Sequence, residues 1–407
     1  MMNKKLLHRF DDFHKLVQFG QKLDGYSWFR AIESEQGTEI VIKGRKVLMF
    51  GSNSYLGLTT HPKIKRASQA AIEKYGTSSS GSRFLNGSTD LHEELEYRLA
   101  KFLNKEAVIL FGTGFQVNTG VIPSITTEND IVISDRLNHA SIIEGARLSS
   151  AKSVMYKHNN MTSLEQKLRL STDAETRLIV VDGIFSMEGD IAKLPEITQL
   201  AQKYNAVVMC DCAHAIGVIG ENGSGTASHF GIIDQVDLIG GTLSKSLASL
   251  GGFVASDVKT INYIKHHARS LIFSASPTPA SVAAALAALD LIESDSSLID
   301  EVNKKSKYAI KKLNAMGFDT GKAETPIIPI YIRNEETTYR LTSLLLKKGV
   351  FVNAVVAPAV APQDSLIRFS VMATHTIEQI DQAIELIVEC ANKLGMSVVS
   401  EERLLNV

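Results

Sequence analysis

Lys245 is the residue whose surroundings are best suited to covalent chemistry, because it stands among small residues just after the mainly apolar run 236–239. That run predicts a buried strand, and a lysine directly after it is poorly placed for a solvated surface charge. An amine whose ammonium form is disfavoured by partial burial becomes nucleophilic and condenses with carbonyl cofactors such as pyridoxal 5′-phosphate. Most lysines have no such role, so further residues must point to the same place.

A carboxylate and an imidazole follow a second predicted strand. Residues 206–210 are all apolar, which is typical of a strand buried on both faces, and Asp211 comes where that strand ends. In open α/β sheets, ligands bind beyond the carboxyl ends of the strands. There Asp211 could keep a pyridine nitrogen protonated, and His214 could donate to the phenolic oxygen of the same ring. On Asp211 alone, a helix-capping role stays open as the alternative.

Two more strand ends carry residues suited to this ligand. The apolar strand 107–111 runs into a turn with Gly112 and Gly114 ahead of a helical stretch, and the strand 178–181 runs into a polar turn that holds Ser186. Glycines at a helix N-terminus let backbone N–H groups approach an anion, so a phosphate fits, although a structural turn would need the same residues. The sequence contains neither the dinucleotide-binding nor the P-loop glycine motif.

Together these residues resemble the α-oxoamine synthases, which are fold-type I pyridoxal-phosphate enzymes that join an amino acid to an acyl thioester with loss of CO₂. The resemblance extends over about residues 26–387. The motifs that carry it are Gly114-Phe115, His139 within 135–141, Ser186, Asp211-x-x-His214 and Thr242-x-x-Lys245. Within the family, the segments most similar to the soluble bacterial serine palmitoyltransferases are 50–58, 81–87, 273–276 and 367–375.

The resemblance implies an α/β fold of the PLP-dependent, aminotransferase-like type. Its large domain would be a doubly wound, mainly parallel sheet, and its smaller C-terminal domain would be α+β. The expected bounds are 1–48 for an N-terminal arm, 49–287 for the PLP-binding domain and 288–407 for the small domain. Over 49–287, buried strands alternate with helical stretches, which is itself typical of a parallel sheet covered on both faces.

The arm carries apolar residues at helical spacing, among them Leu6, Phe10 and Phe13. They predict a short amphipathic helix that packs on the body of the protein or on a partner subunit. Contact with a membrane that carries acyl substrates is the alternative.

The resemblance also implies a role for each candidate residue. Lys245 would hold the cofactor as a Schiff base and, once displaced by substrate, would take the Cα proton as general base. Asp211 would pair with the pyridinium, and His139 would stack on the ring and help to hold the amino-acid carboxylate. The other cofactor contacts would be Ser186 and His214 on the phenolic oxygen, and Gly114, Phe115, Thr242 and, from a second subunit, Ser274 on the phosphate.

Arg368 is the predicted carboxylate clamp for the amino-acid substrate. A guanidinium can meet a carboxylate with two parallel hydrogen bonds, which fixes orientation as well as charge. Its apolar neighbours argue against an ordinary surface arginine. Asn53 and Tyr55 are expected to border the substrate end of the pocket.

The implied reaction is the decarboxylative condensation of an amino acid, best matched by L-serine, with a long-chain acyl-CoA, best matched by palmitoyl-CoA. The products would be 3-ketodihydrosphingosine, CO₂ and CoA, which is the first step of sphingolipid synthesis. Glycine or alanine could replace serine, as in 8-amino-7-oxononanoate synthase, 2-amino-3-ketobutyrate CoA ligase or a signalling-ketone synthase. An acyl-carrier-protein thioester could replace the CoA thioester.

A non-catalytic subunit of the same fold is a further alternative. The presence of Lys245, Asp211 and His139 argues against it. The resemblance implies a homodimer.

The composition fits a cytoplasmic enzyme and argues against several other classes. The 407 residues carry a net charge of −1, which provides no field to gather nucleic acid. Three cysteines imply no disulfide framework. No run of apolar residues is long enough to span a bilayer, so membrane contact would be peripheral at most.

One position departs from the family pattern. The residue after the pyridinium-pairing aspartate is usually acidic, and here it is Cys212. Strand alternation points Cys210 and Cys212 away from the face that holds Asp211, so we expect buried structural thiols. A metal site is not expected, because this C-x-C lacks further ligands at useful spacing.

Overall fold

The computed structural model describes residues 4–22, 26, 28–357 and 359–396. The chain divides into two compact units. One unit is Asn53–Lys304, and the other consists of the described parts of Met1–Ser52 and Lys305–Val407. The domain bounds 1–48, 49–287 and 288–407 stay a prediction.

Helices and strands alternate over most of the described chain. The helices are α1 (Lys4–Lys22), α2 (Pro62–Tyr75), α3 (Asp90–Phe102), α4 (Gly114–Ser124), α5 (Ala140–Leu148), α6 (Met161–Arg169), α7 (Leu194–Tyr204), α8 (Thr226–His229), α9 (Val258–His267), α10 (Arg269–Ile272), α11 (Pro279–Ser294), α12 (Ser297–Ala315), α13 (Glu335–Lys348) and α14 (Ile377–Lys393). The strands are β1 (Glu39–Ile42), β2 (Arg45–Met49), β3 (Ala107–Phe111), β4 (Ile131–Asp135), β5 (Lys152–Tyr156), β6 (Arg177–Asp182), β7 (Val207–Asp211), β8 (Leu238–Thr242), β9 (Gly252–Ser256), β10 (Ile327–Tyr331), β11 (Val350–Phe351), β12 (Asn353–Val355) and β13 (Leu366–Ser370).

The Asn53–Lys304 unit is built on a sheet whose described strands have the order β3-β9-β8-β7-β6-β4-β5. The pairs β4–β5, β4–β6, β6–β7 and β7–β8 are parallel, whereas β9 is antiparallel to both of its neighbours. The mainly parallel sheet predicted for this part of the chain is confirmed.

Apolar side chains explain why these strands lie inside the unit. Every residue of β4, β8 and β9 is buried, which is typical of strands covered on both faces. On one face, Val117 and Val121 of α4 pack with Ile142 of α5 and with the sheet. This core fixes α4 and α5 against the strands, and both helices begin at the edge of the sheet where the candidate residues lie.

The backbone at the N-terminus of α4 packs directly against the sheet. A Cβ atom on Gly252, at the start of β9, would lie 2.7 Å from the Cα of Gly114, and a Cβ on Gly114 would lie 3.0 Å from the Cβ of Thr242. No side chain fits between these segments, so glycine is required for the close approach.

The other unit contains two small sheets, with strand orders β1-β2-β11 and β10-β13-β12 in the described residues. β10 pairs only with β13, so it is an edge strand, and this position suits Pro329, which cannot donate to a strand ladder. Phe50 stacks between Phe369 of β13 and His375, with ring centroids 4.3 and 4.1 Å away. This stack fixes the exit of β13, the strand that carries Arg368.

The predicted amphipathic helix of the arm is found as α1. Its residues Leu6, Phe10 and Phe13 are exposed in the single chain. None of the described helices has the length and apolarity that a membrane crossing needs.

Candidate active site

Four neighbouring parallel strands end at one edge of the large sheet, and each brings a polar residue there. Asp135 ends β4, Asp182 ends β6, Asp211 ends β7 and Thr242 ends β8. Asp182 and Asp211 are paired residues on adjacent strands. Lys245 lies three residues beyond β8 and is half-buried. The candidate residues predicted from separate parts of the sequence therefore meet at this edge.

Asp211 is buried and held by two donors. Asn118 of α4 donates from Nδ2 to one carboxylate oxygen at 2.7 Å, and the backbone N–H of Ala213 donates to the other at 2.9 Å. Asp211 caps no helix, so the capping alternative is wrong. Charged acceptors held by two fixed donors keep one orientation.

His139 is joined to Asp211 by a chain of hydrogen bonds. Asn118 also donates to the Ser141 hydroxyl at 2.8 Å, and that hydroxyl lies 2.7 Å from Nδ1 of His139. Nδ1 accepts from the Ser141 backbone N–H as well, so the proton of the neutral ring is on Nε2. His139 thus presents an Nε2–H donor.

His139 is an exposed residue at the start of α5. Desolvation lowers its pKa, attraction to Asp211 opposes this effect, and repulsion from Lys245 adds to it. The neutral form of His139 is therefore favoured.

Asp182 is a buried carboxyl that sequence reasoning missed. Burial, and next the charge of Asp211, raise its pKa well above the ordinary value. Its Oδ2 accepts from the backbone N–H of His139 at 2.6 Å, which fixes the start of α5. The sequence did contain a signal for Asp182, because this aspartate ends an apolar strand in the same way as Asp211 does.

Tyr55 and His214 form a buried pair. The Tyr55 hydroxyl lies 2.6 Å from Nδ1 of His214 and 3.3 Å from Oδ1 of Asn53. Because Nδ1 is engaged, His214 can donate to a phenolic oxygen only through Nε2. Asn53 and Tyr55 were predicted to border the substrate, and His214 was predicted to contact the cofactor. The structure brings these residues together.

The loop that carries Lys245 is held by its own backbone. Leu243 donates to Gly251, Ala248 to Lys245 and Ser249 to Leu243, at 2.9–3.0 Å. Ala248 has a φ of 52°, in the left-handed region that non-glycine residues rarely adopt. Strain of this kind persists where surrounding contacts enforce it, and it is common at functional sites.

The residues predicted to bind the phosphate lie mainly at the start of α4. Gly114 and Phe115 are its first residues, and the Thr113 hydroxyl caps the helix by accepting from Gln116 at 3.2 Å. The Thr242 hydroxyl donates to the carbonyl of Gly251 at 3.0 Å, so its proton is committed within the protein. The exposed Ser244 hydroxyl lies 2.9 Å from that of Thr242, and it is the donor in this contact because the Thr242 proton is engaged by Gly251.

The structure places Ser186 and Ser274 on separate loops of this unit. Ser186 is half-buried in the turn after β6. The Ser274 hydroxyl accepts a hydrogen bond from Nε2 of Gln116 in the same chain at 2.7 Å. Gln116 lies two residues after Gly114 in the sequence. Donation by Ser274 to a neighbouring subunit's phosphate stays a prediction.

Asn118 is the second residue that sequence reasoning missed. Its signal is its spacing, because Gly114 and Asn118 stand four residues apart and share a face of α4. Ser141 follows His139 by two residues and gave no distinct signal.

Arg368 lies in β13 of the other unit and is 4% exposed. Its Nη1 donates to the Ser370 hydroxyl at 2.7 Å. A surface arginine is thereby excluded, and a buried guanidinium requires acceptors around it.

Cys210 of β7 and Cys212, just after that strand, are both fully buried. The sulfur atoms of Cys210 and Cys212 are 3.7 Å apart, and both thiols are free. The contact with Cys212, together with burial, raises the pKa of the Cys210 thiol well above its ordinary value. Among the described residues, no group of three or more His, Cys, Asp or Glu side chains is arranged to hold a metal ion.

The fold and this edge of polar residues define a class of protein. Residues 45–387 match the family model of aminotransferase class I and II. The chain belongs to that family.

Particular relatives are more informative still. The chain is 54% identical to a serine palmitoyltransferase of Sphingobacterium spiritivorum over 388 residues, which are 95% of this chain and 97% of the relative. It is 50% identical to a serine palmitoyltransferase of Bacteroides ovatus over 91% of this chain and 94% of that one. Among solved structures, a substituted serine palmitoyltransferase from S. paucimobilis with a bound PLP–myriocin aldimine has a TM-score of 0.92 and 31% identity, and the match covers 96% of this chain and 99% of that chain.

Proposed function

We propose that the protein catalyses the pyridoxal-phosphate-dependent condensation of L-serine with palmitoyl-CoA, releasing CO₂ and CoA and giving 3-ketodihydrosphingosine. The names of its relatives at 50–54% identity support this activity. The single structural observation that carries the proposal is the hydrogen-bond chain from Asp211 through Asn118 and Ser141 to His139, at the sheet edge that also holds Lys245.

The residues present fit pyridoxal phosphate. The glycine-lined start of α4 offers backbone donors to a phosphate, and Gly114 permits its close approach to β8, because a Cβ there would lie 3.0 Å from the Cβ of Thr242. Asp211 offers a fixed negative charge to a ring nitrogen, and Oδ1 of Asn118 is a buried acceptor for which the described residues provide no hydrogen-bond donor. His139 offers an exposed imidazole, and Lys245 offers an amine.

Each residue has a defined task in the reaction. When bound, the cofactor supplies an electron-withdrawing ring that accepts the electron pair left at the substrate Cα. Asp211 holds the proton on the ring nitrogen, and His214 donates through Nε2 to the phenolic oxygen. Lys245 removes the Cα proton and returns it to the product. His139 covers the ring and donates from Nε2 to the amino-acid carboxylate.

Arg368 is proposed to bind the carboxylate of the amino acid. A buried arginine keeps its charge, and its planar donors match a carboxylate. The carboxylate leaves as CO₂ after the carbon–carbon bond forms, so the clamp orients the substrate without retaining the product.

A homodimer is also proposed, because several large apolar side chains are exposed. Phe84, Leu85, Phe115 and Phe273 are 47–77% exposed. Hydrogen bonds between Ser276 and Gly81 and between Gln116 and Ser274 tie the segments that carry them. Exposed apolar clusters of this kind mark interaction sites, and a second copy would cover this one beside Ser274. Analytical sedimentation of the holoprotein and of the Leu85→Asp variant tests the dimer. We expect a dimer for the holoprotein and a shift toward monomer for the variant, whereas a monomeric holoprotein would disprove the proposal.

The activity is tested by absorption spectra of the cofactor-loaded protein titrated separately with L-serine, glycine and L-alanine. A change of the visible band with serine, together with release of CoA from palmitoyl-CoA, is the expected result. A response to glycine or alanine alone would mean that the protein uses that amino acid in place of serine, as other members of the family do. Failure to bind pyridoxal phosphate at all would overturn the proposal.

A further inference from the structure

A histidine outside the residues discussed so far ties together three loops at the site edge. His158 lies just after β5, and its Nδ1 is 3.1 Å from Oδ1 of Asp135, at the end of β4. Its Nε2 is 3.0 Å from Oδ2 of Asp190, in the loop after β6. A carboxylate cannot donate, so each ring nitrogen must carry a proton, and the bridging ring is an imidazolium. We name His158, Asn159, Asp135 and Asp190 the His158 cluster.

Asn159 strengthens the same bridge. Its backbone N–H donates to the second oxygen of Asp135 at 2.8 Å, and its side chain donates to Asp190 at 2.8 Å and to the carbonyl of Ile191 at 3.1 Å. These contacts hold Asn159 at a φ of 46°, in the left-handed region. The two residues together give each carboxylate two donors.

The His158 cluster is connected to the candidate cofactor contacts on two sides. Oδ1 of Asp135 also accepts from the backbone of Leu137 at 2.9 Å, in the turn that leads to His139. On the other side, the His158 ring meets Phe185 edge-on at 4.4 Å, and Phe185 donates to the carbonyl of Asp190 at 3.1 Å. Ser186 is the next residue.

We propose that His158, as an imidazolium bridging Asp135 and Asp190, is a positioning residue that fixes the His139 turn and the Ser186 turn at the spacing the cofactor ring requires. The inference rests on the proposed function, because that function places His139 on the ring face and Ser186 at the phenolic oxygen. His158 itself touches neither cofactor nor substrate in this role.

The electrostatics agree with the geometry. Burial alone would lower the pKa of His158, but the hydrogen bonds and charges of Asp135 and Asp190 outweigh it and raise the value to about 9. Glu188, in the loop after β6, is a third nearby acid. The side chains of Asp182 and Tyr156 face Asp135 from β6 and β5. Near neutral pH the imidazolium is therefore the populated form.

The decisive variant is His158→Gln, which is neutral and cannot donate from two ring positions to two carboxylates. We expect the dissociation constant of pyridoxal phosphate to rise roughly 10- to 100-fold, because small displacements of positioning groups have effects of this size. His158→Lys keeps a cation with several donors and should restore part of the affinity. His229→Gln is the matched control, since His229 is exposed and meets Phe230 edge-on at 4.8 Å.

A second measurement uses the intact protein and so does not depend on whether His158→Gln folds. The cofactor affinity of the unsubstituted protein should fall as the pH rises through about 9. In Asp190→Asn this fall should occur at lower pH, because the imidazolium has lost one carboxylate.

Two results would overturn the proposal. One is a His158→Gln protein with a lower unfolding temperature but unchanged cofactor affinity, which would make the cluster purely structural. The other is the same pH dependence in Asp190→Asn and in the unsubstituted protein. Failure of the proposed function would be distinct, since the unsubstituted protein would then bind no cofactor at any pH.

Discussion

The Tyr55 hydroxyl and Nδ1 of His214 lie 2.6 Å apart, although the two residues are separated by 159 positions in the chain. Both side chains are buried. The contact fixes the plane of the imidazole and leaves Nε2 as the nitrogen that can face a cofactor oxygen. Tyr55 therefore acts through His214 in addition to any contact with substrate.

Tyr55→Phe should lower kcat/KM for serine about tenfold. Removing one partner of a buried hydrogen bond costs about 1–3 kcal/mol, and each 1.4 kcal/mol is roughly a tenfold change. Steady-state kinetics with serine and palmitoyl-CoA measure this change in kcat/KM. Tyr97→Phe is the control, because Tyr97 is exposed on α3. Equal losses in both variants would contradict the role given to the contact with His214.

Asn118→Ala should weaken cofactor binding by about 1–3 kcal/mol, because it removes the donors to Asp211 and Ser141 together. Equilibrium titration with pyridoxal phosphate gives the dissociation constant. Asn129→Ala, which alters an exposed amide contact with Glu175, should leave that constant unchanged. Wild-type affinity in Asn118→Ala would mean that the backbone donor of Ala213 is sufficient to hold Asp211.

Lys245→Ala should give a folded protein that holds the cofactor loosely and makes no ketone product. The variant lacks both the amine that binds the cofactor aldehyde and the base that moves the Cα proton. Product analysis by mass spectrometry, with circular dichroism as the folding check, decides the outcome. Lys259→Ala changes an exposed lysine of α9 and should keep full activity. Retained turnover in Lys245→Ala would remove this lysine from its proposed role.

Arg368→Ala should weaken serine binding much more than cofactor binding. Breaking a charge-assisted pair costs about 2–5 kcal/mol, and Arg368→Lys should recover only part of it, since an ammonium lacks the planar fork. Separate titrations with serine and with pyridoxal phosphate distinguish the two effects. Arg340→Ala serves as control at an exposed site of α13. Unchanged serine affinity in Arg368→Ala would mean that another residue binds the carboxylate of serine.

The stability of the protein should decline at alkaline pH because of His158. Its pKa is raised from 6.5 to about 9 in the folded protein, so its stabilising contribution is complete below about pH 6.5 and is lost as the pH rises through about 9. Urea unfolding at a series of pH values measures the free energy of unfolding. His158→Gln should lack this decline; a parallel decline in both proteins would assign it to other groups.

The strands and their end residues were predictable because they depend on local patterns. Short apolar runs predicted β3, β6 and β7, and the residues that followed each run met at one edge because parallel strands end together. In such cases the neighbouring residues in the chain carry the whole signal.

Other features depend on partners far away in the chain. β9 has a fully buried pattern like its neighbours, and nothing local tells that it runs antiparallel between β8 and β3. Asn118 reaches Asp211 across 93 positions, and His158 joins carboxylates 23 and 32 positions away. A polar residue in an apolar stretch predicts that some partner exists, but only the folded chain identifies it.

The close backbone packing of Gly114, Gly252 and Thr242 has a practical meaning for anyone who wishes to redesign this catalyst. With no side chain between α4 and β9, mutagenesis has nothing there to enlarge, trim or recharge without pushing the two elements apart. That end of the site behaves as a fixed anchor. A change of substrate would have to be sought at positions that carry side chains.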